Sequence, residues 1–118
     1  MINNKLMIIG NLTRDPELRK VTVGSDEVSV CTFTVAVNKK TGETQKTTYF
    51  RVTSWRGMAD NCMKYLQKGR KVAVEGEVSA SCNTSDGRIY VNLEVNASDV
   101  MFLDGAKIAE DTDDGIAM

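Results

Sequence analysis

The chain contains no histidine, so the side chain that most often acts as a general base or a neutral metal ligand is missing. Its three cysteines form no C-x-x-C pair of the kind that binds zinc, and no Gly-rich loop leads into Lys-Ser or Lys-Thr to hold a triphosphate. We therefore expect no catalytic residues, no metal and no cofactor. Composition alone leaves a carboxylate-metal nuclease open, although the carboxylates show no spacing that favours one.

Long hydrophobic runs are also missing, and none approaches the roughly 20 apolar residues that cross a bilayer. No secretory signal precedes the first strand-like run, and Cys31, Cys62 and Cys82 have the odd count and wide spacing of unpaired thiols. We expect a protein of the reducing cytoplasm. Cys31 and Cys62 fall on apolar faces, so core packing is the expected role of both.

The net charge is small, because 15 Lys and Arg are balanced by 16 Asp and Glu, for a formal net charge of -1. All 15 basic residues nevertheless lie within residues 1–107, whereas Glu110, Asp111, Asp113 and Asp114 lie beyond them. This split predicts a mildly basic domain over residues 1–104 and a short, acidic, disordered tail over residues 105–118, which serves either solubility or partner binding. A domain this small is often helped by oligomerisation, so we expect self-association.

The only proline, Pro16, is expected to end or bend the first strand, because proline cannot pair in a regular ladder. Alternating apolar residues rich in β-branched side chains predict five strands, over residues 5–12, 28–38, 47–54, 71–81 and 89–103. Turns or irregularities are expected where glycine and polar residues cluster: a loop over residues 21–27 around Gly24, an exposed connection over 39–46, a bulge at Gly76 and a turn at Asp86–Gly87.

One segment has helical periodicity instead. Apolar residues recur at the i, i+3, i+4 and i+7 positions Ala59, Cys62, Met63 and Leu66, and Gly69 is placed to end the helix in a left-handed conformation. Three strands, one helix and two further strands predict an all-β fold, a five-stranded OB-fold barrel with one helix between strands 3 and 4. A sandwich and an open sheet remain alternatives.

Residues 47–55 carry the most informative pattern. In a strand, Tyr49, Arg51 and Trp55 lie on one side, while Phe50 and Val52 lie on the other. Exposed aromatic rings stack on unpaired bases regardless of sequence, and arginine attracts phosphates. The strand therefore predicts a platform for single-stranded nucleic acid, although Tyr and Trp also occur in strands as ordinary packing residues.

Four segments make the chain recognisable: INNKLMIIGNLTRDPELR (2–19), FTVAVN (33–38), the strand just described with its WRG continuation, and YLQKGRKVAVEGEV (65–78). In this order and spacing, residues 2–103 resemble the bacterial single-stranded DNA-binding protein family. The resemblance implies a non-catalytic OB-fold domain that assembles as a homotetramer, or alternatively a dimer, and coats single-stranded DNA during replication, recombination and repair. The compact size is also similar to versions carried by phages or mobile elements.

The resemblance also implies which side chains bind DNA. Tyr49 and Trp55 fall where the family places base-stacking aromatics. The expected phosphate contacts are basic residues at family positions or in its basic loops: Arg51, Arg56, Lys5, Lys68, Lys39, Lys40, Lys46 and Arg88. In the family an acidic tip docks onto replication and repair enzymes, which here implies a partner-binding tail made of Asp111, Asp113, Asp114, Ile116 and Met118.

Some features depart from the family. Relatives carry further aromatics near the end of the second strand and at the tip of the last hairpin, where this chain has Asn38 to Lys40 and SASCNTSDG, and basic residues where it has Ser79 and Ser81. Because each stacked base contributes about 1–3 kcal/mol, we expect weaker or shorter-footprint binding. The tail also lacks the family's long linker and terminal Pro-Phe. An OB-fold accessory protein that acts mainly through protein contacts remains the alternative function.

Overall fold

The computed structural model describes residues 4–104, which form six strands and one helix. In chain order these elements are β1 (Leu6–Leu12), β2 (Glu17–Val23), β3 (Asp26–Thr41), β4 (Thr44–Trp55), α1 (Arg56–Tyr65), β5 (Lys71–Ser85) and β6 (Arg88–Phe102).

Five of the strands close into a ring. The order around it is β1, β5, β6, β4 and β3, and Asn11 and Leu12 of β1 return to pair with Ala36 and Val35 of β3. All of these pairings are antiparallel except the one between β4 and β6. With α1 placed between the third and fourth strands of the ring in chain order, this is the OB-fold architecture that the sequence predicts.

The sixth strand, β2, corrects the expectation of a loop over residues 21–27. It pairs with β3 from Glu17 opposite Thr32 to Val23 opposite Asp26, and the turn is confined to residues 24 and 25, with Gly24 at a φ of 64°. β2 lies at the outer edge of the sheet and almost all of its side chains are exposed. It buries no apolar face, so alternating hydrophobicity could not reveal it.

Both long hairpins turn within the predicted segments, although the first connection is shorter than expected. β3 and β4 pair as far as Thr41 opposite Thr44, so the expected connection over residues 39–46 is mostly strand with a tight turn. In the β5–β6 hairpin, Asp86 and Gly87 have φ values of 52° and 75°, and two consecutive positive φ values are typical of a type I′ turn. The predicted bulge at Gly76 is present, and a Cβ there would collide with the carbonyl oxygen of Asn96.

α1 is shorter than the sequence predicts. It ends at Tyr65, so Gly69 does not cap it; Gly69, at a φ of 90°, lies in the turn that follows and donates its N–H to the carbonyl oxygen of Leu12. Met63 is exposed rather than buried. The remaining predicted apolar positions of this segment do join the core.

The core fills the ring and includes the two cysteines expected there. Its buried members are Ile8, Leu12, Cys31, Phe33, Val35, Val52, Ala59, Cys62, Leu66, Val72, Val74, Val95 and Ala97. Within residues 4–104, no helix is long and apolar enough to cross a membrane.

Candidate nucleic-acid interface

The alternation predicted for β4 is confirmed by the exposure of its side chains. Tyr49 and Trp55 are 59% and 38% exposed, and Arg51 between them is also exposed. Phe50 is half-buried and Val52 is fully buried. β4 therefore presents two aromatic rings and a guanidinium on its outer side, and we call Tyr49, Arg51 and Trp55 the aromatic face.

The indole ring of Trp55 is hydrogen-bonded to the neighbouring strand at the end of β4. Its Nε1 donates a hydrogen bond of 3.0 Å to Oδ1 of Asn96 on β6. The next residue, Arg56, has a φ of 59°, a left-handed value that is uncommon for a residue other than glycine and that turns the chain from β4 into α1. Arg56 is exposed and follows the tryptophan directly.

A groove of about 590 Å³ runs beside Tyr49 and Arg51, between β3 and β6. Thr34 of β3 is paired with Arg51, and Glu94 of β6 is paired with it on the other side. We call this the Arg51 groove; Asn92 also lines it. Among the described residues Arg51 forms no ion pair, so its guanidinium is available to an anion, while Glu94 opposes one.

The lysines of the β3–β4 hairpin lie on two different faces. Lys40 is in phase with Asn38 and Ala36, and Ala36 is paired with Tyr49, so Lys40 lies on the side of the aromatic face. Lys39 and Lys46 are paired directly with each other on the opposite side. The structure therefore places only one of the three predicted hairpin lysines on the side of the aromatic face.

The other predicted basic residues are spread around the ring. Arg88 begins β6 and is in phase with Asn92 and Glu94, on the same side as the aromatic face. Lys5 lines a second groove with Asn96, but its Nζ lies 3.4 Å from Oε1 of Glu75, which offsets part of its charge.

Lys68 lies in the turn after α1. Its backbone N–H donates a 2.8 Å hydrogen bond to Oδ1 of Asp15. The side chain lines neither the Arg51 groove nor the groove beside Lys5.

Tyr90 belongs to this surface and was not predicted. It is 49% exposed and alternates with Ile89 and Val91, in phase with Asn92 and Glu94 on the side of the aromatic face. The signal was present in the sequence, because Tyr90 is out of phase with the apolar series that continues from Ile89 to Val95. The hairpin thus carries an aromatic three residues past its Asp86–Gly87 turn.

The buried thiols are poor nucleophiles. Burial raises the pKa of the Cys31 thiol to about 11, with a smaller contribution from Cys62. Burial likewise raises the pKa of the Cys62 thiol, and a hydrogen bond with the Ser54 hydroxyl lowers it to a lesser extent. Both thiols are therefore protonated at neutral pH, and the thiolate, not the thiol, is the reactive form.

Comparison with known proteins identifies the family. The model of the single-strand binding protein family matches residues 3–103. The chain belongs to this family. Its members are non-catalytic DNA-binding proteins, so the predicted family and the non-catalytic reading are confirmed.

Individual members of this single-strand binding family agree with the assignment. The single-stranded DNA-binding protein of Caldanaerobacter subterraneus subsp. tengcongensis is 41% identical over 86% of this chain and 68% of the relative. That of Treponema pallidum is 34% identical over 92% of this chain and 64% of the relative. Among solved structures, Plasmodium falciparum SSB in complex with ssDNA has a TM-score of 0.68 at 28% identity, over 88% of this chain and 97% of that chain. The chain thus spans about two thirds of the length of these curated relatives.

Proposed function

We propose that this protein binds single-stranded DNA without sequence preference and without chemistry, by stacking unpaired bases on Tyr49 and Trp55. The observation that carries the proposal is the exposure of both rings on one side of β4 with Arg51 between them. Every base has a π-face, so stacking tolerates any sequence. The hydrogen bond from Trp55 to Asn96 supports the proposal, because it holds the indole ring in place before DNA arrives.

Basic side chains supply the phosphate contacts in this proposal. Arg51 lies within the aromatic face, and Arg56, Lys40 and Arg88 lie next to it or on the same side of the ring. Of the remaining predicted residues, Lys5 lies in an ion pair, Lys39 and Lys46 lie on the opposite side of the hairpin, and Lys68 lies in the turn after α1. We assign these four to longer-range attraction of the DNA rather than to direct contact.

We also propose that the protein acts as an oligomer, with the homotetramer as the expected form. An apolar surface lies on the outer side of β1, β5 and the end of β6. The buried Ala73 is surrounded there by four exposed side chains, those of Met7, Ile9, Met101 and Leu103. We call these five residues the apolar face. In β1, residues 6–10 pair with β5 on one edge and leave the other edge unpaired. An apolar surface beside an unpaired strand edge favours a second copy of the chain as its partner.

The tail residues Asp111, Asp113, Asp114, Ile116 and Met118 lie outside the described residues and stay a prediction. We propose that they recruit replication or recombination proteins, since three acidic residues and two apolar side chains near the end suit a basic partner surface with an apolar pocket. The bacterial cytoplasm is the proposed setting, for a host or a phage product, and the bacterial origin of the relatives supports it.

Fluorescence of Trp55, the only tryptophan, tests the proposal during titration with oligothymidylate at several salt concentrations. Stacking should quench the emission, and the affinity should fall as salt rises, because Lys and Arg contacts release counterions. The variant Tyr49→Ala should bind about tenfold or more weakly, since a stacked base contributes about 1–3 kcal/mol.

Phe50→Ala is the matched control, because its ring lies on the inner side of the same strand. It should lower thermal stability while the folded protein binds normally. The reverse outcome, with Phe50→Ala weakening binding and Tyr49→Ala weakening the fold, contradicts the proposed face. Tight DNA binding without quenching would show that the binding site does not include Trp55. Absence of binding would favour the accessory-protein function. Cleavage of labelled DNA in the presence of magnesium would establish a nuclease.

A further inference from the structure

A third groove lies on the other side of Arg51, and of the predicted DNA contacts Arg51 alone lines it. It has a volume of about 220 Å³ and lies between the segment that joins β1 to β2 and the outer side of β3 and β4. Arg14 lines it together with Arg51, and so do the threonines at positions 13, 32 and 34. We call it the Arg14 groove.

The Arg14 groove continues the Arg51 groove. Thr34 and Arg51 line both, so the two grooves adjoin on the outer side of β6, β4 and β3, next to the segment that carries Arg14. The backbone N–H of Thr13 donates a 3.0 Å hydrogen bond to the carbonyl oxygen of Thr34, which holds this segment against β3. A strand that stacks on Tyr49 and continues across β3 therefore reaches Arg14.

The side chains that line the Arg14 groove favour a phosphodiester over a base. Two guanidinium groups and three hydroxyl side chains line the Arg14 groove, and its one aromatic lining residue, Phe33, is buried. Arginine binds phosphate oxygens through its planar fork, and hydroxyls add further donors. Among the described residues, Arg14 forms no ion pair, so its charge is not already neutralised.

Two carboxylates also line the groove. Oδ1 of Asp15 accepts the backbone N–H of Lys68, which ties that carboxylate to the turn after α1. Glu17, the first residue of β2, lines the groove and has no such partner among the described residues. Glu17 therefore opposes whatever phosphate Arg14 attracts.

We propose that Arg14 binds a phosphate group of single-stranded DNA. This contact extends the path of the DNA backbone from the aromatic face across β3. The inference rests on the proposed function, because it extends the path of the same bound strand. Glu17 sets the strength of this contact from the opposite side of the groove.

Charge-removing variants test the proposal with the Trp55 titration, using an oligothymidylate of about 16 nucleotides, the upper site size for one OB fold. Arg14→Gln should lower the affinity about five- to tenfold at about 50 mM salt and reduce the slope of log affinity against log salt by about 0.7, the value for one phosphate contact to a single strand. Glu17→Gln should raise the affinity. Arg51→Gln serves as the reference for a contact within the aromatic face.

Lys20→Gln and Glu27→Gln are the matched controls. Lys20 lies on the opposite side of β2 from Glu17 and donates to Ser29, and Glu27 pairs with Thr22 at the far end of the same hairpin. Both should leave affinity and slope unchanged. If Arg14→Gln and Glu17→Gln behave like these controls while Arg51→Gln weakens binding, Arg14 is not a contact although the aromatic face stands.

If Arg51→Gln and Tyr49→Ala also have no effect, the aromatic face itself is wrong. Should Arg14→Gln fail to fold, Glu17→Gln decides alone, because an unchanged affinity in that variant overturns the proposal.

Discussion

Tyr49, Trp55 and Tyr90 share the property that makes them candidates for stacking: each is at least 38% exposed on the side of the aromatic face. The inner side of β4 is packed at Phe50 and Ser54, whereas Ile89 and Val91 beside Tyr90 are exposed as well. A ring that could be buried but is held in solvent exposes apolar surface, at a cost of about 25 cal/mol per Å². Bound bases cover such a ring. The exposure of three rings on adjacent strands is therefore better explained by a ligand than by packing.

The prediction at the residue scale concerns Tyr90. Tyr90→Ala should weaken binding to oligothymidylate by about tenfold, because a stacked base contributes about 1–3 kcal/mol. The measurement is the same Trp55 titration, with a thermal melt to confirm that the fold is intact.

The control for Tyr90 is Tyr65→Ala. Tyr65 is similarly exposed, but it lies at the end of α1 with its ring centroid 5.6 Å from that of Phe102. It should leave DNA binding unchanged. Equal losses in the two variants would mean that exposed rings act nonspecifically, and no loss in Tyr90→Ala would leave the hairpin without a stacking residue, as the sequence first suggested.

These residues also show what the sequence can and cannot predict. The position of Tyr49 relative to Phe50 follows from the two-residue period of a strand with one packed side, so the aromatic face was predictable. Arg14 was not, because it lies between strands, where no periodicity applies, and its neighbour Arg51 is distant in the chain. The pairing of Thr34 with Arg51 and the hydrogen bond from Thr13 to Thr34 bring the two to one groove.

At the scale of elements, the sequence predicts the two long hairpins correctly but misses β2 and the end of α1. Turn glycines and alternating apolar residues predict the hairpins, since both signals are local. β2 buries nothing and so leaves no signal. The turn after α1 puts Gly69 opposite Leu12, a contact between distant parts of the chain that overrides its local tendency to cap the helix.

The β3–β4 hairpin makes a prediction that depends on this element's register. Lys40→Gln should weaken DNA binding and reduce the salt slope by about 0.7, because Lys40 lies on the side of the aromatic face. Lys46→Gln removes the same charge from the opposite side, where Lys46 is paired with Lys39. Lys46→Gln should change the salt slope less than Lys40→Gln does. It should also stabilise the hairpin by about 0.2–1 kcal/mol, since directly opposed like charges repel.

Salt-dependent titration and thermal melts of the two lysine variants, made in parallel, provide the measurement. Equal effects on the slope would show that the hairpin twists enough for both sides to reach the DNA. A larger effect of Lys46→Gln than of Lys40→Gln would contradict the face assigned from the register.

At the scale of the whole molecule, the outer side of the ring is divided between two surfaces of different chemistry. β3, β4 and the first half of β6 carry the aromatic face and its basic neighbours, while β1, β5 and the end of β6 carry the apolar face. The same strand, β6, contributes to both because it is long enough to cross the ring. Assembly through the apolar face therefore leaves the aromatic face open.

Ile9→Glu tests this assembly by placing a carboxylate within the apolar face, beside the buried Ala73. Wild-type protein should sediment at the mass of four chains, and the variant at a lower mass, because burial of an unpaired charge costs several kcal/mol. Val23→Glu is the control, since Val23 is an exposed apolar residue at the far end of β2. A monomeric wild type, or an Ile9→Glu variant of unchanged mass, would contradict the proposal.

DNA binding by the same variant separates assembly from the site itself. One domain holds a short oligonucleotide through its own rings, so the affinity of Ile9→Glu for about 4 nucleotides should equal that of the wild type. A long strand engages several linked domains at once, and this linkage raises avidity without any new contact. The variant should therefore lose affinity for long strands alone. Equal losses for both lengths would place Ile9 in the binding site or in the stability of the domain, and not between copies.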